Sequence, residues 1–250
     1  MHITARTARW LCAAAAAAAL AGCTDTSALT GAGTTTTDRA CTLAGAVKNH
    51  SDLVIVAGAH QGGPAAGLTR AYGCAVEAAI DAGIPVSIVS VEGKPRVIVS
   101  HLTPPLADHS MDLVRADDRA KAINKIGSAL AAMTASSDGA DLWTALLTAA
   151  DLAASSGSKP LILSTDNGLS DRGPVNMAAP HMTMADPNDV ATHIRTIKAC
   201  GRISTSTIHL LGIAQTAPPQ RPLTATQAEN ITNIYTRALT ACGATTTATP

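Results

Sequence analysis

The chain contains no phenylalanine, and aromatic side chains make up 2% of its 250 residues. Proteins that hold nucleic acid stack bases on exposed rings beside a basic stripe, so no nucleic-acid partner is expected. The interior must be filled by Ala, Val, Leu and Ile instead. Charge is also sparse: Asp, Glu, Lys and Arg together are 14% of residues, with 18 of each sign. The usual catalytic signatures are missing. There is no G-x-S-x-G elbow, no H-E-x-x-H, no Walker A sequence and no G-x-G-x-x-G, so neither a preset nucleophile nor a phosphate cradle can be read from a motif. C-x-x-C is absent and no Cys/His cluster occurs, which speaks against a thiolate metal site.

What is present begins with an export pattern. Met1 to Arg9 carries Arg6 and Arg9 and no acid, and Trp10 to Leu20 is a short, alanine-dominated apolar run. A spanning helix needs about 20 apolar residues, so this run fits a cleaved leader better than a permanent membrane span. Leu20-Ala21-Gly22-Cys23 resembles the lipobox of bacterial lipoproteins. That resemblance implies removal of residues 1–22, a diacylglycerol on the Cys23 sulfur, and a protein held to the extracytoplasmic face of the cell membrane. Two acyl chains, at about 0.8 kcal/mol per buried methylene, anchor stably where one would not. Loss of the leader removes two basic residues, leaving 16 basic against 18 acidic over about 228 residues. This length suits one α/β domain with tails.

Of the six cysteines, Cys12 leaves with the leader and Cys23 takes lipid. Cys41, Cys74, Cys200 and Cys242 remain, an even number outside the reducing cytoplasm, so two disulfides are expected. Three connectivities are possible; Cys41–Cys74 and Cys200–Cys242 are favoured because each would join elements expected to be neighbours.

Residues 23–40, rich in Thr, Ser, Gly and Ala, read as a flexible tether, residues 41–244 as the folded domain, and residues 245–250 as a loose Thr-rich tail. Within the domain, Leu53–Ala57 and Leu161–Leu163 are continuous apolar runs of the kind buried on both faces of a sheet. Val86–Val91 and Arg96–Ser100 are β-branched runs with too short a link for a crossover helix, so they should form an antiparallel edge hairpin. Thr207–Ile213 reads as a further strand. Helical spacing marks Ala66–Ala82, Met111–Met133, the stretch from Asp141 to a stop at Gly157, Asp189–Ala199 and Thr224–Cys242. The order βα, ββ, αα, βα, βα gives an α/β fold: a doubly wound, mostly parallel sheet in a three-layer sandwich with one antiparallel edge hairpin.

This order resembles the von Willebrand factor A fold. Segments such as VAGAHQGGPAA, LILSTDNGLSDRGPVNM and LLGIAQTAPPQRPLTATQAENITNIYTRALTACGA resemble envelope proteins of actinomycetes. In those proteins an A-domain-like region is often followed by an OmpA-like, peptidoglycan-binding domain, a part not expected here. The fold implies that the first and fourth strands lie side by side, bringing the loop of His60 and Gln61 against Thr165, Asp166, Asn167 and Asp171, with Thr144 arriving from the neighbouring helix. A-domains often hold Mg²⁺ or Mn²⁺ through D-x-S-x-S, a threonine and a later Asp. Here Ala57-Gly58-Ala59-His60-Gln61-Gly62 stands where the first element belongs. Asp166 and Thr144 alone make a poor cage for a hard cation, so no metal and no cofactor is expected.

The rim of the sheet is therefore the candidate site, since open α/β sheets take ligands at the carboxyl ends of their strands. Each rim residue also has a plainer role. Asp166 can accept backbone N–H bonds within its turn, Asp171 and Arg172 can form a surface pair, and His60 can hydrogen-bond within its loop. His181 among Met177, Met182 and Met184 could attract a soft metal, but methionine mostly fills gaps. The favoured reading is a non-catalytic binding or scaffolding lipoprotein of the envelope that meets an unidentified protein or small ligand at this rim. A metal-assisted hydrolase using Asp166, Thr144 and His60 is the alternative, and a passive structural lipoprotein the third.

Overall fold

In the computed structural model the described residues are 43–58, 69–103, 112–133, 139–155, 157, 159–216 and 220–249. The chain divides into two units, Met1–Gly33 and Thr34–Pro250. The first lies outside the described residues, as do the expected leader, the lipidation site Cys23, the tether at 23–40, and Cys41.

Among the described residues six strands make one sheet: β1 (Asp52–Ala57), β2 (Val86–Ser90), β3 (Arg96–Leu102), β4 (Pro160–Ser164), β5 (Thr207–Leu211) and β6 (Thr245–Thr249). Among the described residues five helices accompany them: α1 (Thr69–Asp81), α2 (Asp112–Ala131), α3 (Leu142–Ala154), α4 (Pro187–Thr196) and α5 (Ala225–Ala241). Residues 43–47 add a helical turn that hydrophobic spacing did not signal. The strand order is β3-β2-β1-β4-β5-β6, parallel except for the antiparallel β2–β3 pair at one edge. The α/β, doubly wound architecture expected from the sequence is thus the observed one.

β1 and β4 sit side by side in register, Val54 opposite Ile162 and Ile55 opposite Leu163. Every residue of both strands is buried, which is why their sequences run apolar without alternation. Their side chains feed two cores. Val54, Val56, Ile162, Ile208 and Leu210 face α3, α4 and α5, whereas Leu53, Ile55, Leu161 and Leu163 face α1 and α2. Alanines at 145, 149, 150 and 153 are buried on α3. Their small side chains let that helix lie close to strands that carry no phenylalanine to hold it off.

The C-terminal stretch corrects one expectation. Thr245–Thr249 is not a loose tail but an edge strand, parallel to β5 from Thr207↔Thr245 to Leu211↔Thr249. Gly243, at φ +91°, turns the chain out of α5 and back along the sheet. Ala248 packs against the core while Thr245 and Thr247 face solvent. β-branched threonine suits a pleated, half-exposed surface, and an edge strand does not need the apolar run that marks a central one. The folded domain thus extends past residue 244.

Cys200 and Cys242 form the expected disulfide, with Cα atoms 5.3 Å apart, just beyond the ends of α4 and α5. Cys74 is disulfide-bonded as well, and its expected partner Cys41 lies outside the described residues. The Cys200–Cys242 bridge closes a loop of 42 residues. Loop-closure entropy for that length is worth roughly 4 kcal/mol, so Cys200→Ala/Cys242→Ala should lower the unfolding free energy by about that much in urea titration.

On β5, His209 has a half-buried ring whose Nδ1 is 2.6 Å from the Thr247 hydroxyl. Burial, and secondarily the positive charge of His50, lowers its pKa from the ordinary 6.5. Unfolding restores the ordinary value, so the unfolded chain takes up the proton first as pH falls. Stability should be full above about pH 6.5 and decline below it until the lowered value is passed. His209→Asn should flatten that part of the acid limb in unfolding curves collected from pH 8 to pH 5.

Candidate functional site

The rim is built where β1, β2 and β4 end together. Hydrogen bonds from Thr165 N to Val56 O and from Val91 N to Ala57 O, 3.1 and 3.0 Å, carry the pairing one residue past each strand. The turn before α3 then crosses the strand ends. Asp141 N donates to Val91 O, Gly93 N to Gly139 O, and both Asp171 N and Arg172 N to Ala140 O. The residues that precede α3, follow β2 and follow β4 are therefore tied in one place.

The polar side chains gathered there are spent on backbone. Asp166, 1% exposed, accepts from Gly168 N at 2.7 Å, and Asn167, fully buried, accepts from Leu169 N at 3.0 Å. These are successive Asx turns, the geometry a Thr-Asp-Asn-Gly sequence favours. Ser164 Oγ lies 3.4 Å from Asp166 N in the same style, and the Asn167 amide reaches Gln220 Oε1 at 2.8 Å. Asp171, exposed, accepts from Ala140 N at 2.7 Å. Asp141 caps α3 by accepting from Thr144 N at 2.9 Å, and Ser170 Oγ accepts from Leu142 N at 2.9 Å. Two of the first backbone donors of that helix are thereby satisfied, with a carboxylate at its positive end.

Thr165, Asp166, Asn167 and Asp171 thus lie on one loop, and Thr144 stands half-buried in the first turn of the helix next to it. His60 and Gln61 lie outside the described residues, so their approach to the loop does too. Among the described residues no group of three or more His, Cys, Asp or Glu could hold a metal ion. His181 is exposed in a left-handed conformation before the turn Met182–Met184, while Met177 is buried and Met182 packs on the core. No helix among the described residues is long and apolar enough to cross a membrane.

The residue that sequence reasoning missed is Tyr235. It is fully buried on α5, and its hydroxyl donates to Gly168 O at 3.0 Å. With that hydrogen committed, the Ser170 hydroxyl, 3.3 Å away, is the one left to donate to the tyrosine oxygen. A chain of bonds therefore runs from α5 through the loop to the start of α3. Burial pushes the phenol far up from its usual pKa; the Ser170 bond opposes this, and the charges of Asp166 and Asp141 add to it. Tyr235 stays a neutral donor at any working pH. Gly168 completes the fit: at φ +73°, a Cβ there would come within 2.8 Å of the Tyr235 ring. In the sequence, a lone tyrosine on the apolar side of a helix reads as core and carries no sign of its hydroxyl's task.

Tyr235→Phe keeps the packing and leaves the buried Gly168 carbonyl without its donor, which should cost about 1–3 kcal/mol of stability. Ser170→Ala in the same background should add less than it does alone, because the two hydroxyls belong to one network. Denaturant unfolding of the four members of the cycle checks this. No family model matches the chain and no curated protein matches it, so the site is read from its own geometry.

Proposed function

We propose that this chain is a non-catalytic binding or scaffolding module of the cell envelope, tethered by lipid on Cys23 and presenting the loop at the carboxyl rim of its sheet. One observation supports this reading above others: the rim's acidic and amide side chains are engaged by backbone N–H groups, Asp166 and Asn167 within their own loop, Asp171 from Ala140 and Asp141 from the first turn of α3. A general acid or base has to reach a reacting atom to within hydrogen-bond distance, and a carboxylate 1% exposed inside an Asx turn is placed for bracing instead. The 22 residues between β4 and α4 form a long connection, yet they are hydrogen-bonded at several points. Connections of that length in compact domains commonly serve binding. Asp171, Arg172 and Gly173 are its exposed crest.

The partner contacting this crest is a protein or small ligand of the envelope. Arg172→Glu should abolish its capture from envelope extract without changing the unfolding midpoint, since no fold hydrogen bond uses the Arg172 side chain among the described residues. Calorimetric titration with Mg²⁺, Mn²⁺ and Cu²⁺ should give no specific heat. Metal binding that disappears in Asp166→Ala would instead favour the hydrolase, and capture indifferent to Arg172→Glu would remove the crest from the interaction.

A further inference from the structure

α4 and α5 lie together on one face of the sheet, and between them runs a groove of about 560 Å³. Its walls carry Arg195 and Thr192 from α4, and Asn233, Thr236, Arg237 and Thr240 from α5. No carboxylate of the described residues lines it. Asp189 and Glu229, the only acids of the two helices, are not part of its walls.

On the opposite face Arg119 pairs with Asp81 and Glu77, Arg115 with Asp112, and Lys121 with Asp117, whereas Lys125 is exposed without an ion pair among the described residues. Among the described residues Arg195 and Arg237 have neither an ion pair nor a side-chain hydrogen bond. Two positive charges lining one groove repel each other only weakly in water, and together they make the groove attractive to an anion. Lys198 and Arg202, exposed past the end of α4, add to the same positive field.

The groove is also held to a fixed width. At one end the Asn230 amide donates to Thr183 O at 3.1 Å and Ala185 O at 2.8 Å, pinning α5 to the turn before α4. At the other end the Cys200–Cys242 disulfide joins the segments leaving the two helices. Val190, Ala191 and Ile194 of α4 pack into the same core as Ile231, Ile234 and Ala238 of α5. The helices that carry the donors are set before any ligand arrives, while the exposed arginine side chains are ordered on binding.

From these observations we infer that the groove between α4 and α5 is a binding site for a phosphate-bearing ligand. Two guanidinium forks offer paired N–H donors, and threonine hydroxyls and an asparagine amide offer single ones. A phosphate, with oxygens on several sides and more charge than a carboxylate, can use this many donors at once. The volume falls within the range of small-ligand sites and exceeds what a lone phosphate fills, so a phosphodiester or diphosphate group with an attached moiety fits best. The site is separate from the rim and does not depend on how the rim functions.

The test uses the full chain with Cys23→Ser, which prevents lipidation, and compares three probes: pyrophosphate in solution, vesicles of phosphatidylglycerol, and vesicles of phosphatidylcholine. The expected result is binding of pyrophosphate, of phosphatidylglycerol vesicles, or of both, weakened at least tenfold by Arg195→Gln/Arg237→Gln and steeply by added salt. Arg195→Lys/Arg237→Lys should fall between the two, since it keeps charge and loses the fork. Lys125→Gln, an exposed charge on α2, should change nothing and so separates the groove from general attraction to anions. Pyrophosphate binding identifies a soluble ligand, and binding confined to phosphatidylglycerol vesicles identifies a headgroup. If neither probe binds, if phosphatidylcholine binds equally, or if the double glutamine variant binds as well as its parent, the assignment is wrong. An unchanged thermal midpoint in the variants confirms that loss of binding is not loss of fold.

Discussion

The parallel pairing of β1 with β4 governs the rest of the molecule. Both strands are buried on both faces, so neither can exist without a layer of helices above and a layer below. The pairing also places the direction change of the sheet between them, since chain order runs outward from β1 to β3 on one side and from β4 to β6 on the other. Loops leaving the two strands must then diverge, and a crevice at their carboxyl ends follows from topology alone. In this protein the crevice is occupied by the chain itself. The turn before α3 and the loop after β4 cross it and bond to one another through Ala140, Asp141, Ser170 and Asp171.

That self-occupation is secured by a residue type the chain has few of. Tyr235 reaches from α5 into the loop, and its hydroxyl makes the Gly168 carbonyl part of the core. An aliphatic side chain could fill the same volume but could not satisfy a buried carbonyl, and a buried acceptor left alone costs more than the volume gains. Polar and apolar requirements therefore meet in one amphipathic ring, with Ser170 passing the connection on to α3. Hydrogen bonds and the packed Tyr235 ring together hold the rim.

The strands were legible because their burial leaves a mark that no local conformation hides. Leu53–Ala57 and Leu161–Leu163 run apolar without alternation, and the short link from Val91 to Arg96 forbids a crossover; together these fix the sheet order at its centre and one edge. Asp166 was legible in its plainer role for a similar reason: an Asx turn is made by residues two apart, so Thr-Asp-Asn-Gly carries it locally. β6 was not legible, because Thr-Thr-Thr-Ala-Thr at an exposed edge has almost no hydrophobic contrast to betray its pairing. Tyr235 and Gly168 stand 67 positions apart in sequence, and no spacing rule announces a contact between them.

Arg195 and Arg237 stand in the same relation. Each reads alone as a solvated charge on a polar helix face, and only the parallel run of α4 and α5 brings them into one groove. The contrast between the two helical layers then becomes informative. On the α1 and α2 side, Arg115, Arg119 and Lys121 each have an acid within reach, as expected where charge serves solubility and modest pairing. On α4, Asp189 sits in the first turn and His193 and Arg195 in the last, where each favours its helix end, whereas α5 has neither an acid in its first turn nor a base in its last. Helix electrostatics accounts for the arrangement on α4 alone. It does not account for two unpaired guanidinium groups facing a common space between helices that a disulfide and an asparagine clamp hold at fixed separation. With no acid among the described residues lining the groove opposite either of them, a positive field is directed into it.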